Sequence, residues 1–191
     1  MKTFELKGEL RENLGKKASK LGRKEGIVPC VLYGGSDVVH FSVPKESVRK
    51  LIYTPEIFLV NLTVGKKKAC KAIVKDLQFH PVSDNLLHLD FLEVSDNKPI
   101  VMEVPVELTG LAEGVKAGGK LSLELRKLKA KGLHNHIPEK LTVNIEHLSL
   151  GKTIQVGDLS FDNLELMNAK NNVVCAVKLT RAARGAAAKG S

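Results

Sequence analysis

The residues best suited to recognition chemistry gather in one stretch, Lys75-Asp-Leu-Gln-Phe-His-Pro-Val-Ser-Asp-Asn-Leu-Leu-His-Leu-Asp-Phe91. Lys75 donates hydrogen bonds, Asp90 accepts them, and Gln78 and His88 do both, so closely spaced side chains supply every kind of group that reads a polar surface. A second set lies upstream. Arg11, Lys16, Lys17, Lys20, Arg23 and Lys24 fall within fourteen residues, with no acidic residue between Glu12 and Glu25, the composition that engages phosphate. Tyr33 ends an apolar run and brings a ring face together with a phenolic hydroxyl, useful against a base or sugar.

Other chemistries fit these residues less well. His80, His88 and Asp90 are ligand types for zinc or iron, but their spacing follows no ligand pattern and no cysteine or second carboxylate converges on them in sequence. His134-Asn-His136 is too short to specify a metal motif and reads as a polar turn before Ile137-Pro138. Gly114-Val-Lys-Ala-Gly-Gly-Lys120 has the glycines and lysine of a phosphate loop, yet Leu121 stands where a magnesium-binding Ser or Thr belongs, and a strand-like run follows instead of a helix. With no Ser/His/Asp or Cys/His grouping, no enzyme activity, metal or cofactor is expected; a metal-dependent hydrolase using the histidines is the enzyme-class alternative. Cys30, Cys70 and Cys175 are odd in number and far apart, which suits reduced, buried thiols.

The elements that must position these groups follow from two-residue alternation. Leu87, Leu89 and Phe91 alternate with His88 and Asp90, predicting a half-buried strand with the three apolar residues inward and the two polar ones outward. Before the turn at Pro81 to Asn85, the run from Ala72 to Phe79 puts Ile73, Lys75, Leu77 and Phe79 on one side and Ala72, Val74, Asp76 and Gln78 on the other. Thr3–Leu10, Ile27–Tyr33, Val38–Val43 and Ile57–Val64 read as further strands. Leu14, Ala18 and Leu21 would form the inner stripe of a short basic helix weakened by Gly15, Gly22 and Gly26, and Pro44–Ile52 reads as a second helix with Pro in its first turn. Six strands and two helices in under a hundred residues predict a small antiparallel six-stranded β-barrel.

Charge distribution narrows the partner. The net charge is +9 over 191 residues, and residues 1–98 carry 17 Lys/Arg against 12 Asp/Glu whereas residues 99–180 carry 10 against 9. Such a balance favours a polyanion at the first part of the chain. The 43% hydrophobic content suffices for a core; there is no apolar run of the roughly 18 to 20 residues needed to span a membrane, and Met1 to Gly8 lacks the apolar segment of a signal peptide. A cytoplasmic protein with no membrane partner is expected.

Four motifs, in order and with their gaps, carry a resemblance: Gly15-Lys-Lys-Ala-Ser19 with its basic run, Val28-Pro-Cys-Val-Leu-Tyr-Gly-Gly35, Asp76-Leu-Gln-Phe-His-Pro81 and His88-Leu-Asp-Phe91. Together they resemble the bacterial large-subunit ribosomal protein twenty-five family, also known as the Ctc or general stress protein family. Val104-Pro-Val-Glu-Leu-Thr-Gly110, Gly114 to Gly119 and Leu148 to Leu159 extend it to the longer, two-domain members, so that about residues 3 to 180 are covered. The resemblance implies a non-catalytic constituent of the large ribosomal subunit that binds 5S rRNA through an N-terminal barrel, at an internal loop of non-Watson-Crick pairs. It implies roles for Arg11, Lys16, Ser19, Lys20 and Arg23 at phosphate and base, for Tyr33 at the strand end, and for Lys75, Gln78, His88 and Asp90 in the groove. Leu21 and Gly22 depart from members that carry an additional arginine, and Lys75 from members that carry an amide. Binding of another structured RNA such as tRNA is the alternative within the nucleic-acid class.

The expected domain plan is an N-terminal barrel at residues 1–97, a β-rich C-terminal domain at 98–180 and a basic, disordered tail at 181–191. Strands are expected at Ile100–Leu108, Leu121–Leu125, Leu141–Ile145 and Val173–Leu179, with a helical turn or loop at Asp158–Asn168. Its near-neutral charge suggests that the second domain touches neighbouring ribosomal protein or RNA over limited patches. The free protein is expected to be monomeric.

Overall fold

The computed structural model describes residues 1–65 and 69–180. They fall into two compact units, Met1–Ile100 with Leu133–Asn135, and Val101–Gly132 with the residues from His136 on. The three lysines after Gly65 and the tail at 181–191, expected to be disordered, lie outside the described residues.

In the first unit β1 (Lys2–Leu10), β2 (Ile27–Tyr33), β3 (Val39–Pro44), β4 (Phe58–Val64), β5 (Cys70–Phe79) and β6 (Leu86–Glu93) close into a barrel in the order β1-β3-β2-β6-β5-β4. The barrel is not antiparallel throughout, because β1 runs parallel to β4 and β2 parallel to β6. Parallel neighbours need long connections, and both pairs have several elements between their strands in sequence. Pairing β1 with β4 is what closes the sheet and removes its free edges.

Alternation drives the barrel's packing. Leu6, Cys30, Leu32, Phe41, Val43, Val60, Leu62, Leu89 and Phe91 all point inward and are almost wholly buried, and the Phe41 and Phe91 rings lie 5.6 Å apart at the centre. Gly8 makes room for that pair: a Cβ there would stand 2.5 Å from Phe41 Cδ2.

The two helices differ from expectation. In the Pro44–Ile52 segment Pro44 ends β3, residues 45–48 form a turn and only Arg49–Ile52 is helical, a single turn, α2. The segment still seats Val48 and Leu51 in the core, because a single turn suffices to bring residues three apart onto one face. Helix α1 (Lys16–Lys24) forms, but its inner stripe is not the expected one. Leu14 and Leu21 are 58% and 59% exposed, and the half-buried positions are Ala18, Ser19, Gly22 and Arg23. That side lies against β2, where a Cβ added at Gly22 would stand 3.8 Å from Ile27 Cβ, an ordinary contact that leaves room for a side chain.

The second unit is also β-rich. It contains all but the first residue of β7 (Ile100–Thr109), the short helix α3 (Glu113–Lys116), β8 (Lys120–Leu123), β9 (Lys127–Gly132), β10 (Leu141–Asn144), β11 (Thr153–Gln155), β12 (Glu165–Leu166) and β13 (Val173–Lys178). They form a four-stranded sheet β10-β7-β9-β12 and a three-stranded sheet β11-β13-β8. The Asp158–Asn168 segment contributes β12 in addition to loop. The glycines of the loop-like Gly114 to Gly119 run serve packing: a Cβ at Gly119 would lie 2.4 Å from Val177 Cγ1, and one at Gly114 would meet the backbone at Leu150.

Candidate nucleic-acid interface

The site is built on the outer face of three adjacent barrel strands, β2, β6 and β5. Inward Leu89 and Phe91 are both 0% exposed; the intervening His88 and Asp90 must therefore face out. Across the ladder His88 pairs with Gln78, Asp90 with Asp76, and on the other side Asp90 with Val31. Tyr33 lies two residues beyond Val31 on the same face, at the exit of β2.

Two β-bulges decide which residues share this face, and neither is visible in the alternation. Register shifts between Val74 and Asp76, making Lys75 the extra residue on β5, and again between Gln78 and Phe79, where Leu87 is the extra residue on β6. The first bulge inverts the phase of β5. Leu77 and Phe79 thus join the side of Ala72 and Val74, while Asp76 and Gln78 turn outward with His88 and Asp90. The side assignment read from the sequence is corrected accordingly beyond Val74. The second bulge corrects the expected burial of Leu87: Leu86 takes the core position at 4% exposure, and Leu87 is only half-buried. Lys75 is exposed at its bulge.

Hydrogen bonds fix the side chains that read outward. His88 Nδ1 and Asp90 Oδ1 are 2.7 Å apart; an ionised carboxylate only accepts, so Nδ1 carries the donated proton and Nε2 is the imidazole's other polar atom. Tyr33's hydroxyl is pushed above its ordinary pKa, first by burial and then by the negative charges of Asp90 and Asp76, which keeps it a donor. His80 is occupied elsewhere: its Nδ1 accepts from the backbone N–H groups of Val82 and Ser83 at 3.3 and 3.2 Å, capping the hairpin turn. Among the described residues no group of three or more His, Cys, Asp or Glu is placed to share a metal ion. His134 to His136 form a turn, with His134 buried.

Positive charge stands beside this face. Arg23 Nη1 donates to Leu87 O at 3.1 Å, tying the last turn of α1 to the β6 bulge. Arg11 Nη2 donates to Ser19 Oγ at 3.0 Å and to Asn13 O at 3.2 Å, and Arg11 N–H bonds His40 O. The two arginines thus brace the helix as well as carrying charge. Lys16, Lys17, Lys20 and Lys24 are exposed, and α1 contains no acidic residue. Among the described residues none of these four lysines forms an ion pair, so their charge is available to an anion.

Residues 6–91 match the Ribosomal L25p family, and residues 99–181 match the C-terminal domain of ribosomal protein TL5. A protein of Parabacteroides distasonis named large ribosomal subunit protein bL25 is 64% identical over 195 residues, covering all of both chains. The chain belongs to the Ribosomal L25p family. Members of the same name from Porphyromonas gingivalis and Bacteroides thetaiotaomicron are 65% and 62% identical, covering 99% and 98% of this chain. The family is one of ribosomal proteins and not of enzymes.

Of the sequence-predicted residues, Gln78, His88, Asp90 and Tyr33 share one face, with α1 and its Lys16, Ser19, Lys20 and Arg23 alongside. Arg11 sits at the end of β1 and is linked to the helix through Ser19. Alternation puts Asp76 and Gln78 together on the side of Ala72 and Val74; the Lys75 bulge turns both outward and brings Asp76 opposite Asp90.

Proposed function

We propose that this chain is a constituent of the large ribosomal subunit whose first unit binds 5S rRNA, at an internal loop where non-Watson-Crick pairs open the groove. The observation that carries this reading is the juxtaposition of a rigid polar face, Gln78, His88, Asp90 and Tyr33, with a helix bearing four exposed lysines that form no ion pair among the described residues. A regular A-form helix hides its base edges in a deep, narrow major groove, so reading them requires an opened groove and groups that hold their places. The barrel core under Leu89 and Phe91 provides that stiffness, and the α1 lysines supply sequence-independent, salt-sensitive attraction to phosphates. Full-length relatives named as large-subunit proteins support the same assignment, and bacterial ribosomes place the chain in the cytoplasm.

Equilibrium binding of the full chain to 5S rRNA and to an unrelated RNA of equal length, across a salt series, tests the reading. Preference for 5S rRNA that persists as salt rises is the expected result. Equal affinity for both RNAs would overturn it, and preference for tRNA over 5S rRNA would transfer the site to another structured RNA.

A further inference from the structure

The outer face of the hairpin contains an opposition that its basic surroundings make conspicuous. Asp76 on β5 and Asp90 on β6 are direct cross-strand partners. Cross-strand partners have Cβ atoms about 4.5 to 5.5 Å apart, and like charges there oppose folding. Among the described residues neither carboxylate forms an ion pair with Lys or Arg, and Asp90 is partnered by His88. Tyr33 is shifted by both carboxylates, with Asp76 the weaker of the two. The face that would meet RNA therefore has a negative centre beside a strongly positive helix.

We propose that Asp76 is a specificity-determining residue of the RNA interface: with Asp90 it forms an acceptor-only pair that admits exocyclic base amino groups and repels phosphate. This rests on the reading of the first unit as an RNA binder. Ionised carboxylates accept hydrogen bonds and donate none. In RNA the matching donors are base amino and imino groups and the 2′-hydroxyls, while phosphates offer only negative charge and acceptors. A regular duplex presents its phosphate-lined groove to any approaching surface; an internal loop of non-Watson-Crick pairs exposes amino groups. His88 occupies Oδ1 of Asp90, so the remaining oxygens of the pair are those open to a base. Selectivity by repulsion of the wrong partner is a general means of widening an affinity ratio. On this proposal the pair keeps attraction by α1 from simply fastening the protein to any duplex.

The test compares wild type, Asp76→Asn and Asp76→Glu in equilibrium binding to 5S rRNA and to a fully paired RNA hairpin of equal length, at low and moderate salt. Asp76 is exposed, and removing its charge relieves an opposition, so Asp76→Asn is expected to fold; its thermal midpoint checks this. Two charges several ångströms apart near a protein surface interact enough to change affinity by about 3- to 10-fold. Asp76→Asn is expected to bind the paired hairpin tighter by about that factor, lowering the ratio between the RNAs, with the gain shrinking as salt is raised. Asp76→Glu should restore most of the ratio. An unchanged ratio, or a ratio lowered only by weaker 5S rRNA binding, overturns the proposal. Failure of the wild type to prefer 5S rRNA would instead sink the functional reading beneath it.

Discussion

Arg23 offers a sensitive probe of how the basic helix is held. Helix α1 has nine residues, no buried residue and no side-chain bond at its Gly15 N-cap, and helices shorter than about 12 to 15 residues are marginal by themselves. Its placement therefore depends on tertiary ties, of which the Arg23 Nη1 to Leu87 O bond at 3.1 Å spans the greatest sequence distance, 64 residues. Hydrogen bonds to charged groups contribute about 1.5 to 3 kcal/mol; Arg23 is only half-buried, so solvent competition reduces this to about 1 kcal/mol. Arg23→Ala should then raise the population in which α1 opens by about fivefold. Alanine is a better helix former than arginine, so reduced protection cannot be blamed on propensity. Amide hydrogen exchange reads the effect directly. Amides of Ser19 to Lys24 should lose about fivefold in protection while those of β2 and β6 keep theirs. Unaltered protection in α1, or equal loss across the barrel, would refute the view that this bond docks the helix.

Three further outcomes follow from the same structure. Phe91→Ala removes a wholly buried ring packed 5.6 Å from Phe41 and should destabilise the first unit by about 3 to 5 kcal/mol in urea unfolding; a cost below about 1 kcal/mol would mean that the barrel centre collapses to fill the space. Lys16→Ala and Lys20→Ala should each weaken binding to all RNAs and lower the salt slope by about one unit or less, and an unaltered slope would return these lysines to a merely solvated role. Burial pushes the Cys30 thiol well above its ordinary 9.0, outweighing the lowering influence of Arg11. Its folded pKa being raised, its contribution to stability is fully present below the unfolded value and is lost as pH rises through and beyond it. Urea midpoints should consequently fall from about pH 9 upward, and Cys30→Ala should flatten that dependence; the same slope in the variant would assign it to other groups.

Much of the fold is legible in the sequence because inward and outward residues alternate cleanly. Leu89 and Phe91 against His88 and Asp90 identify both the core and the exposed row, and Pro81 to Asn85 mark the turn. What escapes is register. The run from Ala72 to Phe79 gives no sign that Lys75 is an inserted residue, since a bulge is set by the pairing with β6 rather than by local residue type. That single insertion determines that Asp76 joins the site. The inner face of α1 escapes as well: apolar spacing points to Leu14 and Leu21, which are exposed, whereas Ala18, Ser19, Gly22 and Arg23 are the half-buried positions, set by how the helix docks rather than by apolar residue type. Strand β9 hides behind its outer lysines, Lys127, Lys129 and Lys131, because its inward residues include only Ala130 and Gly132 beside Leu128.

The central claim is that 5S rRNA meets the outer face of β2, β6 and β5 together with α1. Amide resonances of the isotopically labelled full chain, recorded during titration with 5S rRNA, test it most directly. Shifts concentrated at residues 16–24, Tyr33, Asp76 to Gln78 and His88 to Asp90, with the β1 and β4 amides little changed, are the expected result. Shifts confined to residues 101–132 and 136–180, or to the β1–β4 side of the barrel, would contradict it.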